Sequence, residues 1–361
     1  MNKRSIYISI GTMSSGGAER VVSILANRLV EDNYSVTIFT WISCPVFYKL
    51  NPNIRLIDIE KNCKGHDDLM KARYFRNFIK HDKPDLILSF LAKINILVLI
   101  CCLFLNVKVV VCERNDPRFV PFNRWLRYLR NMIYIISDRV LTQTDNNKNY
   151  FSDIIKSKTD IIYNPIFLDK DMVGSALHVV ESKKIVSVGR LIPQKNHEML
   201  LNAFAIFAKN HPDYSLYIYG EGSSRNELIA LTQNLGITDK VNLPGVKKNI
   251  FQEIKDAEMF VLSSNFEGMP NTLIEAMCLG LPCISTKVSG AIDLIKNGEN
   301  GFLVNVNDVS TLAVRMGEIA DNKKLKQKIG ASATNLYDML NVDSIYGQWK
   351  AYIDKTMRQH G

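Results

Sequence analysis

The sequence predicts an α/β chain of two doubly wound, Rossmann-like domains facing a cleft. Short apolar runs alternate with helix-length patterns almost from end to end, the mark of βαβ units and parallel sheets. One polar stretch of little periodicity, from Asp169 to about Lys184, interrupts the alternation, which then restarts. The 361 residues, 47% apolar and 22% charged, are too many for one ordinary domain and enough for two. That balance also excludes a disordered or fibrous chain.

In the first half, strands are expected at Ser5–Ile10, Ser35–Thr40, Leu86–Phe90, Lys108–Val111, Arg139–Thr142 and Asp160–Tyr163. Ala18–Glu31 is a helix between the first two. The start, Met1 to Arg4 and then Ser5–Ile10, is too short and too polar for a signal-peptide core and reads as a first buried strand. Ile94–Val107 runs fourteen residues without a charge but contains Asn95 and Asn106. A spanning helix needs about twenty residues, so this is a buried helix, with monotopic insertion as the other reading.

In the second half, strands are expected at Ile185–Val188, Ser215–Tyr219, Lys240–Leu243, Met259–Leu262, Pro282–Thr286 and Gly301–Val304. Helices fall at His197–Lys209, Arg225–Leu235, Asn271–Leu279 and Asp308–Ala320. A final helix, roughly Ser344–Met357, has no strand after it and is expected to pack back on the first domain. The domains are then 1–168 and 169–340, with 341–361 as the returning helix. Ligands of open parallel sheets bind beyond the carboxyl ends of the strands, where the strand order reverses. The functional search therefore belongs in the loops that follow strands.

The charge is uneven. Lys and Arg outnumber Asp and Glu by 45 to 36, and residues 1–170 hold 25 basic and 16 acidic side chains, the whole of the +9 excess. A basic half suits nucleic acid, an anionic membrane surface or a phosphorylated ligand. Seven cysteines, an odd number with no C-x-x-C pair, sit partly in apolar runs and indicate a reduced, metal-free, cytoplasmic protein.

Three glycine-bearing turns follow strands. Gly11 to Arg20, with Gly16-Gly17, enters a helix, so its N–H groups can attract an anion; it is neither G-x-G-x-x-G nor a Walker A loop, and an ordinary tight turn is as good a reading. Gly189-Arg190-Leu191-Ile192-Pro193-Gln194-Lys195 places a guanidinium and an ammonium five residues apart at a strand's carboxyl end. Together they suit a diphosphate; two solvated charges are the bland reading. Gly220-Glu221-Gly222 could lie against a nucleotide. The most informative stretch is Glu267-Gly268-Met269-Pro270-Asn271-Thr272-Leu273-Ile274-Glu275. Glu267 lies in a loop and Glu275 about one turn into the helix that follows. A carboxylate at Glu275 can take two hydrogen bonds from ribose hydroxyls, and the N–H groups of Gly268 to Thr272, Pro270 excepted, can hold sugar hydroxyls or phosphate.

This order of motifs resembles the retaining glycosyltransferases of sequence family 4, which have the GT-B architecture. The likeness rests on Gly16-Gly17, on Gly189-Arg190 with Lys195, and on the E-x7-E pair Glu267 and Glu275, and it runs through essentially the full length. It implies that the second domain holds a nucleotide-diphosphate sugar and the first the acceptor. Arg190 and Lys195 would neutralise the leaving diphosphate, Glu275 grip the ribose, Glu267 lie beside the transferred sugar, and Gly17 lie against the diphosphate or the acceptor. The resemblance also implies retention of anomeric configuration. There is one departure. Many relatives carry a histidine after a first-domain strand, where this chain reads Cys112-Glu113-Arg114-Asn115-Asp116-Pro117. None of the six histidines (His66, His81, His178, His197, His211, His360) sits there, so Glu113 and Arg114 are the candidates. His197, directly behind Lys195, reads as a helix cap.

The sole D-x-D string, Asp169-Lys170-Asp171, lies in the interdomain segment, so no metal and no cofactor beyond the nucleotide sugar are expected. On the acceptor side, Lys71 to Lys80 and Arg118 to Arg130 carry much of the charge. On a helix, Trp125, Leu129, Met132 and Ile136 form an apolar stripe beside Arg124, Arg127 and Arg130, with Arg118 just ahead. Such a face can lie in an anionic bilayer; core packing with a charged outer face is the other reading. The expectation is transfer of a hexosyl or N-acetylhexosaminyl unit, from a UDP-linked donor, to an undecaprenyl-diphosphate-linked saccharide in O-antigen, capsule or similar surface-polysaccharide synthesis. The enzyme would be peripheral on the inner face of the cell membrane. A GDP-mannose-dependent mannosyltransferase is the alternative within the family, and a non-catalytic membrane-surface or nucleotide-sugar-binding protein the alternative outside it. No nucleic-acid module interrupts the βαβ series.

Overall fold

A computed structural model describes residues 3–63, 67–178 and 181–358; His66 and His360 lie outside them. The chain divides into two compact units, one running up to Pro165 and resuming at Asp343, the other Ile166–Val342.

The first unit holds a seven-stranded sheet: β1 (Ser5–Ile10), β2 (Ser35–Thr40), β3 (Arg55–Asp58), β4 (Leu86–Phe90), β5 (Lys108–Cys112), β6 (Arg139–Thr142) and β7 (Thr159–Ile161). Its order is β3-β2-β1-β4-β5-β6-β7, and every pairing is parallel. The central strands are buried along almost their whole length, which is why they read as unbroken apolar runs rather than alternating ones. The charge-free stretch forms the helix Ala92–Cys102, buried on most sides, with Asn95 donating to the Tyr134 hydroxyl and the Cys112 carbonyl. Among the described residues no helix is long and apolar enough to cross a membrane.

The helix Val342–Arg358 closes this unit. Trp349 is fully buried and stacks on Phe90. Around it, Lys350 and the Tyr346 hydroxyl meet Asp32 at 2.6 Å, Arg28 meets Asp343, and Lys108 Nζ donates to the last carbonyls at Thr356 and Met357.

The second unit holds a six-stranded parallel sheet: β8 (Lys184–Val188), β9 (Ser215–Tyr219), β10 (Val241–Gly245), β11 (Met259–Leu262), β12 (Cys283–Thr286) and β13 (Phe302–Val304), in the order β10-β9-β8-β11-β12-β13. Both units thus repeat the Rossmann order, reversing beside their first strand: between β1 and β4 in one, and between β8 and β11 in the other. Two Rossmann-like units of this kind are the fold class expected of GT-B. Several elements escaped the sequence reading, among them the short edge strand β3, the helix Asp68–Asp82 and the lysine-rich helix Lys323–Thr334.

Candidate functional site

In the second unit the loops leaving β8 and β11 meet where the strand order reverses. Ser263 Oγ donates to the Lys195 carbonyl at 3.0 Å, the Asn265 amide to the Gln194 carbonyl at 2.8 Å, and Asn265 Nδ2 to the Pro193 carbonyl at 2.9 Å. These bonds fix the two loops as one surface. On it Lys195 Nζ lies 2.5 Å from Glu267 Oε1, which also accepts from Ser264 Oγ at 2.7 Å; Gln194 Nε2 is 3.5 Å from Glu267 Oε2. Arg190, on the same loop after β8, is exposed, with no ion pair or hydrogen bond to any described side chain.

The glycines have assigned places. A Cβ at Gly189 would come within 3.2 Å of the Lys195 stem, so the glycine lets Lys195 lie across the end of β8. At Gly220, with φ +144°, a Cβ would lie 2.0 Å from the Gly189 carbonyl oxygen, and at Gly222 it would lie 2.2 Å from that of Leu191. Gly220 and Gly222 therefore seat the loop after β8 by backbone-to-backbone contact.

Glu267 and Glu275 are both buried, Glu275 in the helix Asn271–Cys278. That helix has no side-chain cap at Pro270, and the Leu273 and Ile274 amides turn back to the Pro270 carbonyl. Gly268, Met269 and Pro270 form a buried turn ahead of it. A Cβ on Gly290 would reach 2.6 Å from Pro270 Cδ and 2.8 Å from the Gly268 carbonyl oxygen. Gly290 shapes this turn, and its position in a Ser-Gly step after β12 was the unused sequence signal. Ser264 and Gln194, which hold Glu267, were missed too; Ser264 does so from three residues away in the same loop, Gln194 only because the two loops meet.

His197 is buried, and desolvation, then repulsion from Lys195, lowers its pKa to about 4. It is neutral at pH 7. The cap expected of it belongs instead to Asn196, whose side chain accepts from the Met199 amide.

In the first unit Glu113 and Arg114 follow the end of β5. Glu113 is wholly buried: Oε2 accepts from Tyr134 Oη at 3.1 Å and lies 3.6 Å from Arg130 NH1. Burial raises its pKa against the pull of Arg130. Its Oε1 is buried without a partner. Arg114 differs. One guanidinium nitrogen donates to Asn164 Oδ1, the group lies over the Phe90 ring at 5.9 Å, and Nε and NH1 are buried without a partner. Burial lowers its pKa to about 10, so it remains a cation at neutral pH.

The helix N-terminus at Gly16-Gly17 already has a carboxylate on it. Glu19, which accepts from Thr12 Oγ1 at 3.0 Å, approaches Gly16 so closely that a Cβ there would be 2.0 Å from its Oε2. Gly17 is exposed at the first helical position. Of the basic residues, Arg118 grips Asp116 through Nε and NH2, both at 2.9 Å, and Arg127 donates to the carbonyls of Phe119, Pro121 and Phe122. Arg130 is fully buried and not on an outer face beside the stripe, as expected; it holds the carbonyls of Pro117 and Val120. Arg124 is exposed.

Comparison with known proteins decides the class. Residues 171–336 match the family described as Glycosyl transferases group 1, and residues 15–170 match Glycosyltransferase Family 4. The chain is a GT-B-fold glycosyltransferase related to these families. It is 28% identical, over 95% of its length and 96% of the relative's, to a Campylobacter jejuni GalNAc-alpha-(1->4)-GalNAc-alpha-(1->3)-diNAcBac-PP-undecaprenol alpha-1,4-N-acetyl-D-galactosaminyltransferase. It is 25% identical, over 86% of each chain, to an Escherichia coli UDP-Gal:alpha-D-GlcNAc-diphosphoundecaprenol alpha-1,3-galactosyltransferase. Among solved structures, a sucrose-phosphate synthase from Thermosynechococcus elongatus has a TM-score of 0.80 at 18% identity, covering 98% of this chain and 99% of that one. Anabaena HepE in complex with UDP and glucose has a TM-score of 0.78 at 17% identity, covering 97% and 99%. In this glycosyltransferase no group of three or more His, Cys, Asp or Glu among the described residues is placed to hold a metal ion. Asp169 and Asp171 lie exposed at the turn Lys170–Met172, within the second unit.

Proposed function

We propose that the glycosyltransferase moves a hexosyl or N-acetylhexosaminyl unit, with retention and without a metal, from a UDP-linked sugar to an undecaprenyl-diphosphate-linked saccharide in surface-polysaccharide synthesis. The observation that carries the donor side is the unpartnered Arg190 on the same loop as Lys195, which pairs with Glu267, at the reversal of the second sheet. Transfer breaks the bond from the anomeric carbon to the diphosphate oxygen and forms one to the acceptor oxygen. The acceptor's proton passes to the departing phosphate on the same face. Negative charge grows on that phosphate, so preorganised cations stabilise the transition state more than the ground state. Arg190 is available at once, while Lys195 exchanges its Glu267 partner for phosphate. Ser264 keeps Glu267 in place for the sugar, and Glu275 holds the ribose.

On the acceptor side, Arg114 is the group that takes the place of the family's histidine. Its two orphan nitrogens suit a phosphate or sugar oxygen, whereas Glu113 Oε2 is held by Tyr134 and Arg130. The lipid-linked acceptor is supported by the two undecaprenol-linked relatives, and it places the enzyme on the inner face of the membrane.

The test is a transfer assay with UDP-N-acetylgalactosamine, UDP-galactose and GDP-mannose, each with a polyprenyl-diphosphate saccharide, in the presence and absence of EDTA. The expected result is an α-linked product from a UDP donor, undiminished by the chelator. A β-linked product refutes retention, GDP-mannose as the working donor refutes the UDP reading, and loss of activity in EDTA refutes metal independence.

A further inference from the structure

The helix Arg124–Ile133 is turned the opposite way from an ordinary surface helix. On its charged side Arg130 and Arg127 turn toward the protein and hold the carbonyls of the 117–122 loop, while Arg124 is exposed. Its apolar side faces out: Trp125 is 80% exposed, Met132 53%, and Phe122 just ahead of it 76%. The stripe therefore is not core packing. A soluble helix buries its apolar stripe, and a contiguous exposed one marks an interaction surface.

Charge selects the occupant. Pro117 to Ser137 contains four arginines and no acidic residue. Asp116 neutralises Arg118 and Glu113 neutralises Arg130, but Arg124 is unpaired and the partners of Arg127 are neutral carbonyls. Arg124 also sits in the first helical turn, at the positive end of the helix dipole, with no acid there to offset it. A second copy of the chain, docking face to face, would set these cations against themselves. Anionic headgroups would meet them, with hydrocarbon below for the rings. We propose that this face docks on an anionic lipid bilayer, the helix lying in the plane of the surface with Phe122, Trp125 and Met132 inserted. The inference gains its biological sense from the lipid-linked acceptor and so rests on that reading.

The protein carries its own reporter. Of its three tryptophans, Trp41 and Trp349 are buried, so Trp125 alone meets water. Titrating the full chain with phosphatidylglycerol-containing vesicles should blue-shift its emission, and pure phosphatidylcholine vesicles should do so far less. In co-sedimentation, Phe122→Ser with Trp125→Ser, with the fold checked by circular dichroism, should weaken binding about tenfold or more, since the largely exposed rings gain apolar burial in lipid. Absence of the blue shift, or wild-type binding by the double variant, overturns the proposal. So does a dimer in solution that the double variant dissolves, which would give the face to a second copy. No readout uses turnover, so failure here and failure of the transfer assay are separable.

Discussion

Lys195→Ala separates what the site does for folding from what it does for chemistry. The ion pair with Glu267 is 2.5 Å long, with 15% and 10% of the two side chains exposed. Breaking a buried pair by removing one partner costs about 3–5 kcal/mol, mostly the penalty of a stranded charge. Here Glu267 keeps the 2.7 Å bond from Ser264, so about 2–3 kcal/mol is expected. For a unit the size of Ile166–Val342 that lowers Tm by roughly 5–10 °C. Turnover should fall by about two orders of magnitude, the usual effect of losing one preorganised donor to a developing oxyanion, about 3 kcal/mol. The double variant Lys195→Ala/Glu267→Ala strands no charge and should recover most of the lost Tm while staying inactive. Arg190→Ala, lacking a protein partner, should match the loss in turnover with Tm unchanged. Calorimetry and steady-state kinetics on the four proteins test this together. A Lys195→Ala protein melting like the wild type, or a double variant as unstable as the single, would refute the stranded-charge argument. Unchanged turnover in Arg190→Ala would remove that residue from the mechanism.

Three further outcomes follow from particular contacts. Arg114→Ala should abolish transfer while leaving the fold intact, whereas Glu113→Gln should lower Tm by several degrees and retain turnover among molecules that remain folded; the reverse pattern would exchange their roles. Gly290→Ala, whose Cβ would meet Pro270 and Gly268, should raise the Kd for UDP by about tenfold, corresponding to the roughly 1–3 kcal/mol of overpacking, and titration calorimetry would show it. His197 has a folded-state pKa of about 4 against an unfolded value of about 6.5, so it costs nothing above pH 6.5 and penalises folding as pH falls towards 4, by up to about 3 kcal/mol. His197→Phe should flatten the fall of Tm between pH 6.5 and pH 4.5; an unaltered slope would show that other groups set it.

What could be read from the sequence was whatever lies contiguously along it. Buried parallel strands announce themselves as apolar runs, and the loops after β8 and β11 each carry their polar residues within a few positions of the strand end. The edge strand β3 did not, since Arg55, Leu56, Ile57 and Asp58 have only one neighbouring strand and are mostly outside the core. Gln194 was invisible for another reason: its hydrogen bonds to Glu267 and Phe266 exist only because two loops some seventy residues apart converge, whereas the Ser264 bond to Glu267 is made within one loop. Glu113 and Arg114 are adjacent in sequence and alike in polarity, and only the packing of Tyr134 and Arg130 on Glu113 tells them apart.

The basic first half shows how far composition can carry a functional argument. Counting side chains made its surplus look like a field aimed at a partner, yet part of that charge is internal carpentry. Lys71 is buried on Glu60 and the Trp41 carbonyl, Arg76 holds the carbonyls of Cys101 and Leu103, and Arg130 is enclosed with Glu113. Hydrogen bonds to neutral carbonyls leave a charge standing, whereas carboxylate partners cancel it, so the effective surplus is smaller than the count and is concentrated where carboxylates are missing. The 117–137 segment is such a place, and it is also where large apolar side chains face outward. Either property alone has an ordinary explanation: lone exposed hydrophobes are common, and basic loops are well solvated. Their coincidence on one inverted helix is what water does not favour and an anionic bilayer does. The apolar rings set the depth of docking and the two uncancelled arginines its preference for anionic lipid. Raising the salt concentration should therefore weaken the preference for phosphatidylglycerol more than it weakens the insertion of Trp125.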